Sequence, residues 1–191
     1  MGIIGQAVVL FAVTNIDDIV ILALFFARGA GRPHLVRDVA VGQYLGFAGI
    51  LAVALAAALG ARLLPAAVLP WLGLLPVVLG LRAGWQVWRA RHDDDGAGAG
   101  VEWAGVLGLA AVTFANGGDN IGVYVPVFAT AGAAGMSGYV VVFLLLVAVW
   151  VAMGRFLATR PVVARALSRW GHVLLPVVLV GLGLLILSEG W

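Results

Sequence analysis

Two short polar clusters lie inside otherwise apolar stretches: Thr14-Asn15-Ile16-Asp17-Asp18 and Asn116-Gly117-Gly118-Asp119-Asn120. Together they hold the carboxylates of Asp17, Asp18 and Asp119, the amides of Asn15, Asn116 and Asn120, and the Thr14 hydroxyl. About a dozen apolar or small residues flank each cluster, so segments of spanning length would place both near the bilayer midplane. A carboxylate there costs about 2.5–3.5 kcal/mol even on a mild scale, and it normally marks an ion path or a binding site. An all-oxygen donor set with several negative charges is neutralised by a dehydrated divalent cation or by protons. Carboxylates held this close repel one another when the site is empty, which makes exchange of protons for metal a natural reaction.

On a continuous helix Thr14 shares a face with Asp17 and Asp18, and Asn116 with Asp119 and Asn120, because residues three and four apart are neighbours. Antiparallel packing of the two segments then brings Asp17, Asp18 and Asp119 into one volume. Gly117, Gly118 and Gly122 permit local distortion that exposes carbonyls, although tight packing explains them as readily. Pro126 frees a further carbonyl near the end of its helix. A single Asp or Asn in a membrane helix often only ties helices together; two clusters at repeat-related places weigh against that for the pair.

The elements that position these residues follow from composition. The chain has 191 residues, 63% hydrophobic and 10% charged, with a mean hydropathy of +1.11. Globular domains carry about 25% charge, so most of this surface faces something other than water. The basic residues are all arginines, 11 of them, for a net charge of +2. They cluster in connectors, which fits topology signals rather than a nucleic-acid footprint. The absence of cysteine excludes disulfides and thiolate metal sites. The N-terminus lacks a basic n-region, so the first span is expected to be retained.

Six segments are long enough to span, at about 3–27, 39–61, 66–88, 104–128, 137–158 and 172–188. The last is short, and two helices in its place remain an alternative. Connectors one, three and five are arginine-rich, whereas the second has only Arg62 and the fourth is uncharged. The positive-inside rule makes the odd connectors cytoplasmic and puts both termini outside. Leu74-Leu75-Pro76-Val77-Val78-Leu79 recurs 100 positions later from Leu174, and Asp17-Asp18-Ile19 aligns with Asp119-Asn120-Ile121 at an offset of 102. The expectation is an all-α polytopic membrane protein with six transmembrane helices in an inverted 3+3 repeat. Residues 1–91 form the first repeat, 92–102 a flexible cytoplasmic linker and 103–191 the second repeat.

Other polar residues invite plainer readings. Gln43 and Tyr44 line a vestibule or anchor span 2 at the interface, and Tyr139 holds a comparable place in span 5. Trp71, Trp85, Trp88, Trp103, Trp150, Trp170 and Trp191 read as an aromatic belt. His34, His92 and His172 sit near span ends and read as solvent-facing. Asp93-Asp94-Asp95 belongs to the linker, and neither Arg82 nor Glu189 is given a chemical role.

The chain resembles the cadmium resistance transporter family, within the broader lysine-exporter-like group. The resemblance rests on Ala12-Val13-Thr14-Asn15-Ile16-Asp17-Asp18, Gly42-Gln43-Tyr44-Leu45-Gly46-Phe47, Leu74-Leu75-Pro76 with Val78-Leu79-Gly80, and Thr113 to Tyr124. It implies an inner-membrane protein of five or six spans that exports divalent cations, with Asp17, Asp18 and Asp119 and the neighbouring asparagines as its polar motif. Cadmium is soft and prefers thiolates, so an oxygen cage suits Mn²⁺ or Ca²⁺ at least as well.

The function expected is secondary export of a divalent metal, cadmium first, driven by inward proton movement across the plasma membrane. No cofactor is expected; the cation is cargo, whether Cd²⁺, Mn²⁺, Ca²⁺ or Zn²⁺, with protons as co-substrate and lipid as the surrounding partner. A homo-oligomer would suit so small a body. No Walker A run is present, which disfavours an ATPase. Export of a cationic amino acid is the first alternative, although no basic residue in either cluster would hold a substrate carboxylate. An intramembrane aspartyl enzyme or a structural membrane subunit is the second.

Overall fold

In the computed structural model the described residues are 2–61, 63–65, 105–160 and scattered positions between 71 and 85 and between 177 and 188. The bounded elements are α1 (Ile3–Thr14), α2 (Ile16–Arg28), α3 (Leu35–Ala61), α4 (Gly105–Asn116), α5 (Gly118–Thr130) and α6 (Gly132–Ala158). The scattered positions Leu74, Leu75, Val77, Val78, Leu81, Arg82 and Trp85 are helical as well, inside the expected third span. Most of the third and sixth spans lies outside the described residues, as do the 92–102 linker and both prolines of the repeated hexapeptide.

Two helices, α3 and α6, are each long and apolar enough to cross a membrane, and α1 with α2 makes a third if that bent pair is one span. Leu45, Val53 and Leu59 on α3, and Val141, Leu145 and Val149 on α6, are exposed. Apolar residues around the whole circumference belong to a helix whose outer face meets hydrocarbon. The chain is therefore an all-helical membrane protein among its described residues.

The first span departs from a straight helix, bending by 58° between α1 and α2. The cause is local. Asn15 leaves the helical region (φ −112°, ψ 17°), and its side-chain amide and its main-chain N–H both donate to the Phe11 carbonyl. Thr14 turns its hydroxyl onto the Leu10 carbonyl at 2.9 Å. Such side-chain bonds to the backbone compete with continuation of the helix. Within the expected fourth span, α4 and α5 are likewise interrupted, at Gly117 (φ −84°, ψ 16°). Thr14 and Asn116 thus end one helix while Asp17, Asp18, Asp119 and Asn120 begin the next, so the shared faces of a continuous helix do not form.

The helix lengths correspond in pairs. Helices α1 and α4 have 12 residues each and begin 102 positions apart; α2 and α5 have 13 each at the same offset; α3 and α6 have 27 each. Packing is crossed between the halves: α3 lies mainly on α4 and α5, and α6 mainly on α2 and α1. Glycine makes the first of these contacts close. A Cβ on Gly46 would stand 2.6 Å from both the Ala110 carbonyl oxygen and the Thr113 Cβ, and one on Gly42 would stand 2.8 Å from the Val106 carbonyl oxygen. In the second, Gly154 of α6 takes the Leu22 side chain of α2.

Candidate functional site

The two helix breaks face each other and are joined by side-chain hydrogen bonds. Asn120 donates its amide to Asn15 Oδ1 at 3.0 Å, and Asn116 donates its amide to Asp18 Oδ1 at 3.0 Å. The Tyr124 hydroxyl lies 3.0 Å from the Thr14 hydroxyl and accepts from the Asn15 amide at 2.8 Å. Thr14, Asn15, Asp18 and Asn120 are all buried. Asp17 and Asp119 are half-buried, and Asp119 accepts the main-chain N–H of Asn120 at 3.0 Å. All three carboxylates sit in the first turn of a helix, where the exposed N–H groups and the macrodipole favour negative charge.

Asp18 is the most enclosed acid, 2% exposed, and both its oxygens are engaged. Gln43 donates to Oδ2 at 3.2 Å, opposite the Asn116 bond to Oδ1. The Thr113 hydroxyl in turn donates to Gln43 Oε1 at 2.7 Å. At the first break, Trp150 donates its indole N–H to the Asn15 carbonyl at 2.7 Å. One buried side-chain polar atom has no partner among the described residues, Asn120 Oδ1. Buried acceptors are nearly always satisfied, so an exception calls for an explanation such as an unseen ion or water.

On one side the polar layer is covered by rings. The Phe143 ring, tilted against both, has its centroid 4.8 Å from that of Tyr124 and 5.5 Å from that of Phe11, while Phe11 meets Phe47 edge-on at 5.4 Å and Trp150 at 5.1 Å. Beside α5, an open cavity of about 510 Å³ runs between Trp71, Leu74, Leu75 and Val78 and the glycines Gly118 and Gly122. It reaches the residue next to Asp119.

Of the seven residues expected at the site, Thr14, Asn15, Asp18, Asn116 and Asn120 take part in the layer joining the two breaks, and Asp119 adjoins it through Asn120. Asp17 occupies the same first turn of α2. The acids do not form a compact ligand group: among the described residues no three of His, Cys, Asp and Glu are placed to hold a metal ion. In the interior of the layer one carboxylate, that of Asp18, is surrounded by amides and hydroxyls.

Five partners carry more than their sequence context suggested. Gln43 reads as an interfacial residue when its span starts at 39; α3 starts at Leu35, which sinks Gln43 about 12 Å from the helix end. Trp150 is not a belt residue, being buried in the middle of α6. Tyr139 is likewise inside, donating to Gln6 Oε1 at 3.0 Å. Thr113 and Tyr124 had no assigned role, and a lone hydroxyl in an apolar helix was the available signal for each.

Compared with known proteins, residues 11–190 match the model of a family described as cadmium resistance transporter. No curated protein and no solved structure matches the chain.

Proposed function

Because the chain belongs to the cadmium resistance transporter family, we propose that it exports a divalent metal cation across the cytoplasmic membrane in exchange for protons. Cadmium is the leading cargo. Asp17, Asp18 and Asp119 supply the charge, and the amide oxygens of Asn15, Asn116 and Asn120 with the Thr14 hydroxyl complete an oxygen cage once the present hydrogen bonds open. Both termini lie outside, and the two halves insert in opposite directions so that the two breaks meet at mid-membrane.

The observation that carries this reading is the unpartnered Oδ1 of Asn120, a buried acceptor where the two broken helices meet. A cation would give it the ligand it lacks. The crossed packing supports alternating access, since each long helix moves with the other half's broken pair. Oxygen donors fit Mn²⁺ and Ca²⁺ as well as Cd²⁺, whose size is close to that of Ca²⁺.

The test is metal flux in sealed liposomes holding purified protein, with Cd²⁺, Zn²⁺, Mn²⁺ and Ca²⁺ compared with and without a pH gradient. Flux of one ion that follows the gradient and collapses in Asp119→Asn is the expected result. Folded protein that moves none of the four ions would overturn metal export and bring cationic amino acids forward.

A further inference from the structure

Gln43 is 2% exposed and belongs to neither cluster, yet it bridges the halves. Its Nε2 reaches Asp18 of α2 and its Oε1 receives the Thr113 hydroxyl of α4. The Oε1 atom can only accept, so the Thr113 bond turns the amide with its N–H towards Asp18. The reverse orientation would set an amide oxygen against the carboxylate. Two glycines bracket the arrangement: Gly42 and Gly46 bring α3 against Leu109, Ala110 and Thr113 with no room for a Cβ. The spacing of α3 and α4 beside Gln43 and Thr113 is therefore fixed by close helix contact.

We infer that Gln43, oriented by Thr113, is a positioning residue that fixes the Asp18 carboxylate for cation uptake; this rests on the export reading above. An ionised carboxylate has about four lone-pair sites. The Gln43 and Asn116 amides take one on each oxygen, which leaves the others aimed in set directions for the cargo. Without the Thr113 hydroxyl the amide keeps only its contact with Asp18 to orient it, and Asp18 is held less firmly on that side. Hydrogen bonds that hold a ligating carboxylate are worth about 10–100-fold in metal affinity when removed.

The experiment compares initial rates of Cd²⁺ and Mn²⁺ flux in proteoliposomes for the wild type, Thr113→Val, Thr113→Ser and Gln43→Met. Thr113→Val keeps the shape and removes the donor, and Thr113→Ser keeps the donor. The expected result for Thr113→Val is a KM for the transported ion raised about 10-fold, with the maximal rate held within about 2-fold as for a lost binding interaction. Gln43→Met shares that shift, and Thr113→Ser restores the wild-type KM. Equal KM in Thr113→Val and wild type overturns the inference, as does an equal shift in the Val and Ser variants, which would mark a packing effect. Wild-type protein that moves no divalent ion overturns the export reading, and this inference falls with it; wild-type flux with unaltered variants overturns the inference alone.

Discussion

Trp150 of α6 donates its indole N–H to the main-chain carbonyl of Asn15, where the first span breaks, at 2.7 Å. The indole also lies edge-on to Phe11, 5.1 Å between centroids at 84°. One side chain thus holds both the polar and the apolar side of the bend. Trp150→Phe keeps a ring and deletes the donor. The expected loss is about 1–3 kcal/mol, the range for leaving a buried acceptor unpaired, read as a lower Tm in detergent with helix content by circular dichroism unchanged.

Tyr124→Phe isolates a hydroxyl in the same way. Its ring packs on Phe143 and Phe128 and survives the change, while the link to Thr14 and Asn15 is lost. Membrane hydrogen bonds average about 0.6 kcal/mol in double-mutant cycles. A Tyr124→Phe, Thr14→Val cycle should return a coupling of about that size or larger, up to about 1.7 kcal/mol. A coupling of zero would mean the Tyr124 to Thr14 contact carries no energy.

Alanine at the α3 glycines should give a graded series. Gly46→Ala forces a Cβ onto the Ala110 carbonyl and Thr113 Cβ at 2.6 Å and should cost about 1–3 kcal/mol, as overpacking does. Gly49→Ala meets the Phe114 ring at 3.0 Å, a side chain that can move, and should cost less. Gly60→Ala meets nothing within 4 Å and should gain about 0.5–1 kcal/mol of helix propensity. Thermal unfolding of the three variants in one detergent checks the order.

Asn120→Leu separates binding from folding. The change removes a buried acceptor that has no partner and a donor that serves Asn15. These effects oppose each other, each about 1–3 kcal/mol, so stability should change little. Metal flux should fall at least about 10-fold, as expected for loss of a ligand or of a group that holds one. A variant that transports normally would remove Asn120 from the site.

The positions of the two clusters and their mutual approach were legible in the sequence, because Asp17, Asp18 and Asp119 are conspicuous in apolar surroundings and a repeat relates them. The family was legible from the same residues. The helix breaks were not: Asn15 is a poor helix breaker by propensity, and it is its bond to Phe11 together with the Trp150 and Tyr124 contacts that settles the bend. Gln43 was read as interfacial because a span limit drawn from hydropathy stops at Val39, just after Arg37 and Asp38. Trp150 lay inside its expected span, and its burial comes from contacts with Phe11 and the Asn15 carbonyl that a tryptophan's belt preference does not reveal. Both α3 and α6 begin earlier than the hydropathy limits, at Leu35 and Gly132.

Crossed packing also sets a timetable for biosynthesis. The principal partner of α2 is α6, whose first residue, Gly132, is made 104 positions after Arg28. At about 5–20 residues per second, the ribosome leaves Asp17 and Asp18 in a nascent chain for about 5–20 s before α6 arrives. Through that interval α2 lacks its main packing partner, and a chain stopped after its first half never meets it.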